Sequence, residues 1–138
     1  MLIREAMPPV PPVRRMLVVD DEQPILFALR GYFSAHGFLV DTAHDLDEAR
    51  SLLAGHRYHL VITDLRMSGT MGTEGLELVS LLRAQWPDVR IVLLTGYGSA
   101  DVEHDARRKG VDAFLEKPIP LPRLGAIAAE LLGIGADQ

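Results

Sequence analysis

Residues able to handle charge stand directly after short apolar runs in this chain. Asp20, Asp21 and Glu22 follow residues 16–19, Asp64 follows residues 60–63, Thr95 follows residues 91–94, and Glu116, Lys117 and Pro118 follow residues 113–115. One aspartate after a strand is ordinarily a loop or cap residue, and one lysine is ordinarily a solvated charge. Together they ask for more. Asp20 or Asp21 brought close to Asp64 would repel it and raise a pKa unless a cation stood between them. A hard divalent ion is the natural remedy; Mg2+, or Mn2+ in the same role, takes one or two carboxylates, with waters and phosphate oxygens completing its shell. Lys117 does not suit a metal but suits an anion beside one, and the Thr95 hydroxyl can donate a hydrogen bond to the same anion. The set is suited to a phosphoryl group next to Mg2+.

Such a site needs elements that bring distant residues together. Residues 16–19, 39–42, 60–63, 91–94 and 113–115 are short, apolar and mostly not alternating, the pattern of strands covered on both faces. Between them lie segments of helical periodicity. Ile25, Leu29 and Phe33 share one face, Leu46, Ala49 and Leu53 a second, Leu78, Val79 and Leu82 a third, and Leu124, Ile127, Ala128 and Leu131 a last. The charged segment 99–109 offers little beyond Val102 and Ala106. Pro24 suits a first helical turn, Gly37 and Gly110 suit left-handed helix ends, and Asp45 and Thr73 suit N-caps. Five strands alternating with five helices predict a three-layer α/β domain over about residues 15–132, with a parallel sheet and right-handed crossovers. Ligands of such sheets bind at the carboxyl ends of the strands, where the charged residues fall.

Composition narrows the function. A chain of 138 residues is one domain with a proper core. The apolar share of 48% and charged share of 24% are those of a globular protein. The absence of cysteine excludes a disulfide scaffold, a thiolate metal site and a cysteine nucleophile. A formal charge of −5 does not describe a basic nucleic-acid surface. No apolar run approaches the roughly 20 residues of a membrane span, and Arg4 and Glu5 are not followed by the apolar stretch of a secretory signal. A cytoplasmic protein is expected, with Pro8, Pro9, Pro11 and Pro12 marking residues 1–14 as an unstructured leader and 133–138 as a C-terminal tail. His56 and His59 read as a chance surface pair, His36, His44 and His104 are dispersed, and Trp86 before Pro87 reads as packing at a helix end.

Four segments carry a family resemblance: MLVVDDEQPIL (16–26), LVITDLRM (60–67), IVLLTGYGS (91–99) and FLEKPI (114–119). In this order, at these strand ends, they make the chain similar to the receiver domain of two-component response regulators, the CheY-like family. The resemblance implies a doubly wound five-stranded sheet in the flavodoxin-like order 2-1-3-4-5. It implies Asp64 as the acceptor of a phosphoryl group from a sensor histidine kinase or histidine phosphotransfer protein. Asp21 matches the direct Mg2+ ligand, Asp20 the acidic residue acting through a metal-bound water, and the Arg66 backbone carbonyl a third contact, beside Asp64 itself. Thr95 matches the switch hydroxyl, Lys117 the phosphoryl-pairing lysine, Pro118 the proline after a cis bond, and Phe114 the switch aromatic. The expected output surface is the fourth helix, fifth strand and fifth helix, which could also hold a second copy of the chain. Catalysis is expected only of its own phosphorylation and dephosphorylation.

Three features depart from the pattern or leave choices open. Phe114 stands where many relatives carry tyrosine, which favours the inward rotamer because no hydroxyl holds the ring at the surface. With only six residues after Leu132, output is expected through contact with a downstream protein and not with nucleic acid; a receiver cut from a larger DNA-binding regulator would read the same. A flavin carrier or an aspartyl-phosphate phosphohydrolase on the same fold are the alternatives of another class. The acidic triplet 20–22 repels a flavin phosphate, and no substrate cap is evident. Finally, the loop LRMSGTMGTEGLEL has Ser68 where proline is usual and runs about three residues long, an extension that costs little entropy; Gly69, Gly72 and Gly75 make it flexible. If this loop controls access to the phosphoaspartate, shortening it by three residues changes the dephosphorylation rate; an unchanged rate and unchanged kinase selectivity would make it a tolerated insertion.

Overall fold

Side chains alternate across each strand and both faces are covered, which is why the strands read as continuous apolar runs. A computed structural model of the protein describes residues 13–67 and 74–134. Strands β1 (Arg14–Val19), β2 (Phe38–Ala43), β3 (Leu60–Thr63), β4 (Arg90–Thr95) and β5 (Ala113–Glu116) alternate with five helices. These are α1 (Gln23–Ala35), α2 (Leu46–Gly55), α3 (Glu74–Gln85), α4 (Ala100–Lys109) and α5 (Leu121–Leu131). Every strand pair is parallel, in the order β2-β1-β3-β4-β5, the flavodoxin-like order expected. The proline-rich segment, Ser68, Gly69, Gly72, the expected cap Thr73 and residues 135–138 lie outside the described residues.

The two faces of the sheet build two cores. Met16, Val18, Leu60, Ile62, Val92 and Leu94 face α1 and α5, meeting Leu26, Leu29 and Phe33 on one helix and Leu124 and Ala128 on the other. The alternate residues Leu17, Val19, Val61, Ile91 and Leu93 face α2, α3 and α4 through Ala49, Leu53, Leu78, Val79, Leu82 and Ala106. Each fully buried Leu, Val or Ile contributes roughly 1.5–3 kcal/mol, so both sides hold the sheet firmly. Two expectations need adjustment. Arg14, assigned to the leader, is the first residue of β1 and pairs with Phe38. In α1 the buried positions are Leu26, Leu29 and Phe33, with Ile25 only partly covered, because the buried stripe sits one residue further round the helix.

Turn chemistry sets the helix ends. Pro24 lies in the first turn of α1, and Asp45 accepts the Glu48 N–H to cap α2. Gly37 and Gly110 hold φ of +93° and +111°, left-handed values that a side chain would strain. Helix α4 buries only Ala106. It is held instead by local terms: Ser99 caps it through the Val102 N–H, Asp101 and Glu103 sit in its first turn, and Arg107, Arg108 and Lys109 in its last, each sign complementing the helix dipole.

Arg83 of α3 anchors the far end of α4. Its guanidinium donates to the carbonyls of Gly110 (2.9 Å), Pro87 (3.0 Å) and Val89 (2.6 Å) and to Asp112 (2.7 Å). Trp86, just past α3, packs partly against the same core. Gly75 belongs to α3 and is buried, so its part is close packing and not loop flexibility. A Cβ there would collide with the Asp64 carbonyl oxygen and stand 2.8 Å from the Leu65 Cα. Gly75→Ala should therefore destabilise the fold by about 1–3 kcal/mol, although alanine is the better helix former. Thermal unfolding checks this; an unchanged or higher Tm would show that the helix can shift freely.

Candidate functional site

The carboxyl ends of β1 and β3 lie side by side, so the residues leaving them are neighbours. The Asp64 N–H donates to the Val19 carbonyl (2.9 Å) and the Asp20 N–H to the Ala43 carbonyl (3.0 Å). These bonds hold both aspartates at the sheet edge, with Asp20 2% and Asp64 4% exposed. Carboxylate oxygens of Asp20, Asp21, Glu22 and Asp64 can all lie within 4.8 Å of one another. Asp64 Oδ1 accepts the Leu65 N–H at 2.8 Å, and Asp20 Oδ1 accepts the Glu22 N–H at 2.9 Å.

Lys117 supplies the opposing charge. Its Nζ lies 2.8 Å from Asp20 Oδ2, 3.1 Å from Glu22 Oε2 and 3.4 Å from Asp64 Oδ2. The Lys117 N–H donates to the Thr95 carbonyl at 2.9 Å, and the bond between Lys117 and Pro118 is cis. Thr95 is fully buried, and its hydroxyl accepts the Tyr97 N–H at 3.0 Å. Asp20, Asp21, Asp64 and Lys117 thus meet in one cluster. Thr95 joins through the backbone of Lys117.

One ammonium cannot balance this acidity. Burial, then the charge of Asp20, pushes the Asp64 carboxyl from 3.8 up to about 6, against the pull of Lys117 and the Leu65 N–H. Burial also raises Asp20, with Lys117 and the Glu22 N–H opposing it. Burial disfavours the Lys117 ammonium, but Asp20, Glu22 and Asp64 outweigh that and leave it above its ordinary value. These carboxylates lack positive charge, and their oxygens suit a hard divalent cation.

Other expected residues fall nearby. Arg66 sits two residues past Asp64, with its guanidinium over the Tyr97 ring, 4.2 Å from the centroid. Phe114 is partly buried against the core facing α2 to α4, and its Cε1 lies 3.1 Å from where a Cβ on Gly98 would stand. Glu22, Tyr97 and Gly98 were not singled out from sequence for these roles. Glu22 was visible as the third acid of its triplet, but only the fold shows that Lys117 reaches it. His56 and His59 serve separate backbone groups: His56 Nδ1 lies 3.2 Å from the Leu52 carbonyl, and His59 Nδ1 accepts the Arg15 N–H at 3.0 Å. Among the described residues, no helix is long and apolar enough to cross a membrane.

A parallel doubly wound sheet with a buried aspartate, an acidic pair, a hydroxyl and a lysine at one edge defines a class built to hold a phosphoryl group. The response regulator receiver domain matches residues 16–129 as a family model, and the chain belongs to that family. It is 32% identical over 117 residues to the nitrogen assimilation regulatory protein NtrX of Azorhizobium caulinodans, covering 85% of this chain and 26% of that one. It is 34% identical over 105 residues to the photosynthetic apparatus regulatory protein RegA of Cereibacter sphaeroides, covering 76% and 55%. Among solved structures, a response regulator from Burkholderia pseudomallei with a phosphorylated aspartic acid, calcium ion and citrate superposes with a TM-score of 0.76 at 31% identity, covering 86% of this chain and 66% of that one. The chain spans about a quarter to about half the length of these curated relatives.

The raised Asp64 pKa has a definite sign. Between about pH 4 and 6 the folded state holds a proton that the unfolded chain releases, so this group's contribution to stability falls as pH rises through that window. Asp64→Asn removes the buried charge while Lys117 keeps Asp20 and Glu22. In metal-free buffer at pH 7 to 8 it should raise Tm by a few degrees, the effect of about 1 kcal/mol in a domain of this size. At pH 4 the gain should vanish. A variant less stable than wild type at pH 8 would show that Asp64 is not held under repulsion.

Proposed function

We propose that this receiver takes a phosphoryl group onto Asp64 from the phosphohistidine of a histidine kinase or histidine phosphotransfer protein, in a Mg2+-dependent reaction, and so switches the surface formed by α4, β5 and α5. The observation that carries the reading is Asp64 itself: 4% exposed, raised in pKa by burial and by Asp20, and 3.4 Å from the Lys117 ammonium. The Burkholderia pseudomallei relative, described with a phosphorylated aspartic acid and a calcium ion on a matching fold, supports it.

An Asp64 carboxylate oxygen forms the new bond to phosphorus while the P–N bond of the phosphohistidine breaks. The bonding pair returns to the imidazole nitrogen, which leaves as histidine. Asp20, Asp21, Asp64 and the backbone carbonyl of Arg66 are the groups that would hold Mg2+, or Mn2+ in its place. When bound, the ion neutralises charge on the phosphoryl oxygens. Lys117, whose ammonium already lies 3.4 Å from Asp64 Oδ2, can face the transferred group while keeping its contacts to Asp20 and Glu22, lowering the cost of bringing an anion to an acidic edge. The product adds charge and acceptor oxygens that the free aspartate lacked. The Thr95 hydroxyl, which accepts the Tyr97 N–H, can instead donate to a phosphoryl oxygen. That differential contact can shift an existing equilibrium, and Phe114 moves with the space Thr95 leaves. The chemistry is confined to this protein's own acyl phosphate.

A cavity of about 490 Å³ beside the site joins Glu22 and Lys117 to Pro24, Ile25, Ala28 and Ile119, an apolar seat suited to a phosphodonor. The functional unit on this reading is residues 14–132, acting in the cytoplasm. The share of NtrX and RegA that the chain covers favours a second reading of the output, in which this receiver controls further domains of a longer regulator, nucleic-acid-binding ones included. On either reading the phosphorylation site is the same.

Incubation with acetyl phosphate and Mg2+ tests the site. Wild type should take up acid-labile, hydroxylamine-sensitive label, Asp64→Asn should take up none, and Lys117→Ala should slow uptake roughly a hundred-fold, as removal of one preorganised electrostatic partner does. Equal incorporation in wild type and Asp64→Asn would overturn the assignment.

A further inference from the structure

Two side chains at the rim of the site are left unused by the function proposed above. Arg66 follows the phosphoacceptor Asp64 by two residues, and Tyr97 follows the switch residue Thr95 by two. They meet across the gap between the loops after β3 and β4, with the Arg66 guanidinium carbon 4.2 Å from the Tyr97 ring centroid. The other tether of Tyr97 is its N–H, bonded to the Thr95 hydroxyl at 3.0 Å. The ring is otherwise open, with Tyr97 59% exposed. Among the described residues Arg66 has no carboxylate partner, while Lys117 is shared by Asp20, Glu22 and Asp64. The flexible cation nearest in sequence to the acceptor is therefore stored on an aromatic ring.

We propose that Arg66 is a second cationic partner of the phosphoryl group, held on Tyr97 until that group arrives. The inference rests on the phosphoacceptor role of Asp64. A guanidinium on an exposed ring gains about two- to five-fold in equilibrium terms. The same group gains about ten-fold or more on phosphoryl oxygens, which its planar fork can meet with two charge-assisted bonds. The phosphoryl group wins that competition. The same event draws the Thr95 hydroxyl away from the Tyr97 N–H, so both tethers of Tyr97 are released together. Tyr97 then becomes a free aromatic on the loop leading into α4, an amphipathic side chain of the kind that anchors protein partners. Arg66 thus links the loop after β3 to the output surface without contacting α4.

Beryllofluoride with Mg2+, a mimic of the phosphoryl group, provides the measurement. Its affinity for the full chain is determined by calorimetric titration of wild type, Arg66→Ala, Arg66→Lys, Tyr97→Leu, Tyr97→Phe and the double variant Arg66→Ala/Tyr97→Leu, with Tm recorded for each. Arg66→Ala should weaken binding about ten-fold or more, and Arg66→Lys should recover part of the loss. Tyr97→Leu removes the competing ring and should strengthen binding about two- to five-fold, while Tyr97→Phe, which keeps the ring, should match wild type. In the Arg66→Ala background Tyr97→Leu should have no effect. An equal effect of Tyr97→Leu in both backgrounds, or unchanged binding by Arg66→Ala, would overturn the role of Arg66 and leave Asp64 untouched. A wild type that binds no beryllofluoride would overturn the phosphoacceptor reading, and this inference with it.

Discussion

Two carboxylates, Asp20 and Asp64, are held almost without solvent at neighbouring strand ends, and one ammonium faces both. That arrangement costs stability in the free protein, because burial raises both acids and the charge of Asp20 raises Asp64 further. The sheet supplies the offset. Strands β1 and β3 are apolar over 16–19 and 60–62 and buried on both faces, so the backbone that carries the aspartates cannot relax to separate them. Close approach is tightened further by Gly75, which lets α3 start directly against the Asp64 carbonyl. The site is poised because the fold around it is rigid. Relief comes only from added positive charge, which makes the same carboxylates both a cation cradle and an acceptor.

Rigidity on the acceptor side contrasts with looseness on the output side. Helix α4 buries Ala106 and little else, so displacing it forfeits few contacts. Its two ends are fastened differently. Gly110 at the far end is gripped by Arg83 through its carbonyl, and Arg83 also binds Asp112 and the carbonyls of Pro87 and Val89. At the near end, Ser99 caps its own helix, and the chain before it is tied through the Tyr97 N–H to the Thr95 hydroxyl. If phosphorylation draws the Thr95 hydroxyl away, as proposed, the near end is the one freed while Arg83 still holds the far end. Phe114 lies between, its ring over Gly98, where it registers any shift of that loop.

The fold was largely legible because its main signals are periodic. All five strands stand where the short apolar runs placed them and four helices where their apolar faces did, while the charged α4 had little face to read; the order of the strands follows the family resemblance. What escaped were relations that sequence spacing does not encode. The buried stripe of α1 runs through Leu26 instead of Ile25, a rotation that only packing on the sheet decides. Gly75 looked like loop flexibility, yet the contact that requires it lies on another element. Arg83 has no sequence signal of its own, and nothing local announces that it reaches Gly110, 27 residues on. In the site, the acids and Lys117 were visible at the strand ends. Glu22 was visible as an acid but not as a Lys117 partner, and the stacking of Arg66 on Tyr97 joins residues from different loops.

The charge balance of the site also explains why two loops must respond and not one. Lys117 is fixed between Asp20 and Glu22 by short contacts, so turning it wholly toward a new anion would leave those carboxylates without their cation. A phosphoryl group brings more negative charge than the aspartate it occupies, at an edge already short of positive charge. The cations that can move without stripping Asp20 are those not yet engaged by a carboxylate. Arg66 meets that condition in the described structure, since its partner is an aromatic face. A cation–π contact at an exposed ring is weak enough to release and strong enough to hold the arginine in place. On the proposed reading, electrostatic demand at Asp64 is converted into freedom at Tyr97, on the loop whose N–H is bonded to the Thr95 hydroxyl.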